Sequence, residues 1–187
     1  HPIFIPILIA FFILTSTSDS FFISKSNKTI VYLFLFLYTI VLPIIFTLIL
    51  YKSGYLSSIE MKKNKERVIP IFITLICFIF CYLKLQNILI FCPILNTALK
   101  GIAIIVLSSG IISFFWKISL HMLGAGGLVS FLIFTQIYTE FFSIILFSIC
   151  LSGLLGSARL SENAHSKNQI YSGFLLGFII EFLVFYY

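Results

Sequence analysis

Residues 29 to 51, "TIVYLFLFLYTIVLPIIFTLILY", run for 23 positions without a charged side chain. A helix rises about 1.5 Å per residue, so roughly 20 apolar residues cross the ~30 Å hydrocarbon layer of a bilayer. The run lacks the alternation of apolar and polar residues that a barrel strand needs, and a backbone in lipid must satisfy its own hydrogen bonds. It therefore reads as a transmembrane helix. Further runs of the same kind lie near 68 to 90, 94 to 116, 120 to 138, 141 to 158 and 168 to 187. The predicted fold class is all-α: a polytopic transmembrane helix bundle of six core spans, in one membrane domain over residues 1–187. The earlier run from Pro2 to Leu14 is short, holds Pro2 and Pro6, and ends in the polar "TSTSDS". It reads either as a short N-terminal seventh span missing its start or as a half-inserted helix. The sequence begins at His1 rather than Met, so a residue or more is expected to precede it. No basic region precedes the first apolar run, as a cleavable signal peptide would require.

Composition agrees with the spans. The chain is 60% hydrophobic, 18% aromatic and 10% charged, with a mean hydropathy of +1.16. That polar fraction could not cover a soluble globule. The formal charge of +6 raises nucleic acid as a partner, but the basic residues cluster in short loops flanking apolar segments, where membrane topology and anionic lipid favour them. Nucleic acid is therefore excluded. Cys77, Cys81, Cys92 and Cys150 lie within or beside apolar runs with no histidine or carboxylate nearby, which reads as helix packing rather than a metal site. The "GAGG" of residues 124–127, Gly153 with Gly156, and Gly173 with Gly177 are expected to let helices approach closely.

With six spans, the loops before the second, fourth and sixth share one face. That face carries Lys52, Lys62, Lys63, Lys65, Arg67, Lys117, Arg159 and Lys167, eight of the twelve basic residues. The positive-inside rule would make it cytoplasmic, although an anion site there would raise the same count. Three polar clusters fall on it, each at a helix boundary: "KKNKERVIP" (62–70), "KISLH" (117–121) and "ARLSENAHSKNQ" (158–169). A charge in or near hydrocarbon costs about 2.5 to 3.5 kcal/mol on insertion scales, so it is usually retained for a use. Arg159 offers a planar fork of donors suited to phosphate, and Lys62 or Arg67 adds positive charge. Ser119 stands where it would cap a helix beginning near residue 120, whose free N–H groups favour an anion. The two histidines, His121 and His165, supply what phosphoryl transfer would still need, one as nucleophile and the other as proton donor to the leaving oxygen.

The third cluster carries Arg159, five residues, His165, three residues and Gln169, against the pattern S-R-x5-H-x3-D. Ser119 and His121 match the Ser and His of P-S-G-H. In these motifs the chain resembles the type 2 phosphatidic acid phosphatase (PAP2) superfamily of membrane lipid phosphatases, over roughly residues 60 to 180. The resemblance implies a metal-independent reaction with no cofactor. By position, His165 would attack phosphorus and form a phosphohistidine, and His121 would protonate the departing oxygen. Gln169 takes the place of the residue that orients the nucleophile. Arg159, Ser119, Lys62 and Arg67 would hold the phosphoryl oxygens. The implied partners are a lipid phosphomonoester or prenyl diphosphate substrate and the membrane, with the bacterial inner membrane as the expected location.

Five positions depart from the pattern, one of them Ile118, which takes the place of Pro in the second motif. The first motif, K-x6-R-P, is matched at Lys62 and Pro70, but Ile69 takes the Arg position and Arg67 lies two residues away. Leu120 replaces Gly in the second motif; Ala158 replaces Ser and Gln169 replaces Asp in the third. These departures motivate a second expectation: a catalytically degenerate relative serving as a lipid-binding or assembly subunit of a larger membrane complex. Glu181, inside the last span, has no assigned role.

Overall fold

The computed structural model describes residues 1–16, 23–58, 61, 64–135 and 142–187. Every regular element among them is helical: α1 (Ile5–Ser16) after a short 3-10 turn, α2 (Lys25–Leu35), α3 (Leu42–Lys52), α4 (Asn64–Leu89), α5 (Pro93–Ser113), α6 (Leu120–Thr135), α7 (Phe142–Ser161) and α8 (Lys167–Tyr186).

The uncharged stretch at 29–51 lies in one continuous rod of 28 residues, Lys25–Lys52. Ser24 starts it, its hydroxyl accepting the Asn27 N–H at 3.2 Å, which satisfies one of the free donors of a first turn. A π-helical turn, Phe36–Val41, joins α2 to α3. Pro43 has no N–H to give the carbonyl four residues back and its ring crowds that carbonyl; the widened turn lies over that stretch. Thr39 and Thr47 return their hydroxyls to the Leu35 and Pro43 carbonyls, each at 2.7 Å, so neither polar group is left bare in an apolar setting. Pro93 opens α5 at a position where no N–H is needed.

Among the described residues, five segments are long and apolar enough to cross a membrane: Lys25–Lys52, Glu66–Leu89, Pro93–Ser113, Phe142–Ser161 and Lys167–Tyr186. The remaining predicted span forms α6, whose 16 residues reach about 24 Å, less than the hydrocarbon layer. Residues 136–138 of that expectation lie outside the described residues. The N-terminal run forms the short α1, which packs within the bundle: Ile9, Ala10, Ile13 and Leu14 are buried in one cluster with Val31, Leu35, Leu85, Leu99 and Phe131. Cys81 and Cys92 belong to the same cluster. Phe80, Leu83, Phe147, Leu154 and Leu175 are exposed on the outside, which suits a surface solvated by hydrocarbon.

Helices α6 and α8 pack backbone against backbone. A Cβ placed on Gly126 would overlap the Phe174 carbonyl, and one on Gly177 would overlap the Leu123 carbonyl. One on Gly173 would come within 2.9 Å of the Ser119 carbonyl. The two backbones therefore touch directly, which only glycine permits. Gly153, expected to serve the same purpose, has nothing within 4 Å of its would-be Cβ, because it lies on an open face of α7.

Candidate functional site

The α7–α8 connection is built from two local motifs. After the last turn of α7, Asn163 takes a left-handed conformation (φ 51°). Its N–H reaches the Leu160 carbonyl at 3.0 Å, and the Ala164 N–H reaches the Arg159 carbonyl at 3.2 Å. This is the Schellman closure of a helix, with asparagine where glycine is more usual. Arg159 lies in that last turn, where a cation suits the negative end of the helix dipole. Two residues after Ala164, Ser166 begins α8 with a capping box: its hydroxyl accepts the Gln169 N–H at 3.4 Å, and its own N–H donates to Gln169 Oε1 at 3.1 Å. His165 is thus held between two capped helix ends.

The capping box also fixes the imidazole. Gln169 Oε1 lies 3.1 Å from His165 Nδ1. Because Oε1 already accepts from the Ser166 N–H, it is the carbonyl oxygen, and it accepts from His165 as well. Nδ1 therefore carries the proton, which leaves Nε2 with its lone pair.

The second cluster meets the third through the backbone, where Ser119 N–H donates to the Gln169 carbonyl at 3.3 Å. Ser119 itself is fully buried, behind the glycine contact of α8. Its hydroxyl has no hydrogen-bond partner, so the side-chain cap expected for α6 is not made. The first cluster joins through Arg67, whose Nη1 donates to the Ile118 carbonyl at 3.4 Å and whose Nε donates to the Met61 carbonyl at 2.9 Å. Lys62 lies outside the described residues.

Together these elements enclose a hollow of about 910 Å³ lined by Arg67, Lys117, His121, Arg159, Glu162 and His165, among others. The expected residues Arg67, His121, Arg159 and His165 all lie on its wall; Gln169 and Ser119 do not, Gln169 acting on His165 from behind. Leu120, the departure in the second motif, is also on the wall. Lys117, Glu162 and His1 were not among the expected site residues. The His1 ring meets the His121 ring edge-on, with centroids 5.0 Å apart. Glu162 pairs with Arg159, Oε2 to Nη1 at 2.8 Å, a pairing that the three-residue spacing could have suggested. Arg159 Nε is buried and has no partner.

Among the described residues the wall carries three cations against one carboxylate, so its field favours an anion. Burial lowers the proton affinity of His165 below its ordinary value; the Gln169 hydrogen bond opposes this, and the cations of Arg67, Lys117 and Arg159 add to it. The ring is neutral at neutral pH. Burial, and after it the nearby cations, Arg159 foremost, lower the proton affinity of His121 further, to about 4, so this ring too is neutral at neutral pH in the free protein. Chemically, the arrangement offers an imidazole lone pair, a second imidazole and fixed cations around a space the size of a small-molecule site. Comparison with family models, with curated proteins and with solved structures finds no match to this chain.

Proposed function

We propose that the chain is a membrane lipid phosphatase acting on a lipid phosphomonoester or prenyl diphosphate through a phosphohistidine. The observation that carries this reading is the Ser166–Gln169–His165 relay on the wall of a cationic hollow, because it leaves an imidazole Nε2 unprotonated beside groups that attract phosphate. In the first step the Nε2 lone pair forms a bond to phosphorus and the bond from phosphorus to the lipid oxygen breaks. His121 gives its proton to that oxygen, releasing the lipid alcohol or monophosphate. Water then attacks the phosphohistidine, His121 takes a proton from it, and phosphate leaves with His165 restored. Arg67, Arg159 and Lys117 hold the charge that spreads over the phosphoryl oxygens, the largest contribution in many such transfers. His121, neutral in the free protein, takes up the proton it gives as the substrate dianion binds, because that negative charge favours the protonated ring.

The test is phosphate release by the purified protein, with EDTA present, from phosphatidate, phosphatidylglycerol phosphate and undecaprenyl diphosphate. Release is expected from at least one, together with an acid-labile, base-stable phosphoryl group trapped on the protein. His165→Ala should abolish both. Absence of release from all three would remove the reading. One observation favours the second reading, a lipid-binding or assembly subunit: Glu162 already occupies one arm of Arg159. That role would survive His165→Ala in cells, whereas the enzymatic role would not.

A further inference from the structure

A second cavity, of about 320 Å³, lies inside the bundle among α1, α3, α4, α5 and α6. Phe78, Ile102, Ile105, Val106 and Leu128 line it, and it shares Pro2, Met61, Ile71 and Leu120 with the polar hollow. The two spaces therefore adjoin. Its wall presents hydrocarbon even where the sequence places hydroxyls. Thr74 donates to the Pro70 carbonyl at 2.8 Å and Ser109 to the Val106 carbonyl at 2.7 Å, while Thr39 and Thr47 are spent on their own helix as described above. Glu181, fully buried, is among its lining residues, with its carboxyl packed against Gly101. Both of its oxygens lack a partner.

Building on the phosphatase reading, we propose that this cavity seats one hydrocarbon chain of the substrate, so that the preferred substrates are single-chain lipid phosphates rather than two-chain ones. The volume decides the number of chains. A methylene takes about the room of a water, whose share of the liquid is about 30 Å³, so 320 Å³ holds on the order of ten methylenes. That is one chain of medium length, or the first part of a longer one. Two acyl chains of membrane length need roughly three times as much. Glu181 marks the deep boundary, since an apolar chain gains nothing by pressing against a carboxyl. Along α8 it stands 12 residues beyond Gln169, about 18 Å, which places it well below the cationic wall.

The probe is decyl phosphate carrying a diazirine at the chain end, photolysed with the protein in lipid nanodiscs and mapped by mass spectrometry. Labels are expected on cavity residues such as Phe78, Ile105 and Val106, and Val106→Phe should cut their yield by about tenfold, as expected when a pocket loses room for a chain. Ser109→Leu fills the same space and serves where Val106→Phe does not fold. Labels confined to outward residues such as Phe80 and Leu83, or a yield unchanged in the filled variant that folds, would overturn the proposal. Phosphate release is measured beside it for decyl phosphate and for dioleoyl phosphatidate, with a lower KM expected for decyl phosphate. Release with labels only on the outside defeats the chain seat and leaves the phosphatase reading standing. Cavity labels without release from any substrate do the reverse.

Discussion

Gln169 Oε1 receives two hydrogens, from the Ser166 N–H and from His165 Nδ1, each at 3.1 Å. A neutral amide fixes the tautomer but, on the phosphatase reading, would lend little to the positive charge developing on the ring as Nε2 bonds to phosphorus. Gln169→Glu keeps the shape and both contacts and adds a charge. Its kcat should rise by up to about tenfold, the worth of one charge-assisted hydrogen bond over a neutral one. The pH profile should move with it. On the phosphatase reading the nucleophile is the neutral ring and His165 is shifted below its ordinary value, so the acid limb of the profile should lie below about 6.5, while loss of the proton that His121 must donate sets a separate limb on the alkaline side. A carboxylate at 169 favours the protonated ring, so the acid limb should shift upward in pH; a limb that stays in place would show that 169 does not act through the imidazole. Glu162 invites a second substitution. Its pair with Arg159 spans three residues of helix with one partner exposed, and is worth only about 0.3 to 0.5 kcal/mol. Glu162→Gln should therefore leave thermal stability nearly unchanged. It should tighten inhibition by vanadate or inorganic phosphate several-fold by freeing the arginine and removing a repelling charge. The four-residue spacing of His165 and Gln169 could be read from sequence because it falls at a helix start, where geometry is local. The unpartnered hydroxyl of Ser119 could not, because it results from α8 backbone pressing on the segment before α6.

At the scale of helices, the site depends on how near α6 and α8 approach. Both histidine segments sit where these two elements begin, and glycines hold the backbones in contact. Gly177→Ala would drive a methyl into the Leu123 carbonyl. It should destabilise the fold by about 1 to 3 kcal/mol, as overpacking of a close contact does. It should also lower kcat beyond what the stability loss explains, since separating the helices separates the rings. Gly153→Ala meets open space and should leave both properties alone, or raise helix stability slightly. Thermal unfolding in detergent, with activity measured well below the transition, checks the pair. The glycine pattern in the sequence drew attention equally to both positions. Their difference lies in which helix face meets a neighbour, and an almost uniformly apolar helix carries no periodic signal of that. The π-helical turn before Pro43 escaped sequence reading for a related reason: proline announces a disturbance of the ladder without saying whether the chain kinks or widens.

At the scale of the molecule, hydropathy located every helix that the described residues contain, because a bilayer demands long apolar runs whatever the packing. It did not separate α6 from the full-length spans, since a short helix shielded by protein and a span facing lipid have the same composition. The arrangement of the three polar segments follows from topology: α4 and α5 form one hairpin between the first segment and the second, and α6 and α7 form another between the second and the third. Each pair of helices returns the chain to the side it left, even though α6 is short. This can be checked without any assay of catalysis. In a Cys150→Ala background, which removes the one exposed thiol, single cysteines are placed at Tyr55 in the α3–α4 loop, at Lys117 before α6 and at Asn163 after α7. A fourth goes at Phe91, in the turn between α4 and α5. In sealed vesicles of one orientation, a charged maleimide that cannot cross the bilayer should label 55, 117 and 163 from the same side and 91 only from the other. Phosphate at millimolar concentration should slow labelling at 117 and 163 while leaving 55 unaffected, because only those two line the hollow. Labelling of 117 and 163 from opposite sides would mean that α6 and α7 do not bring the chain back. His121 and His165 would then have no common phosphorus to act on, whatever their spacing along the chain.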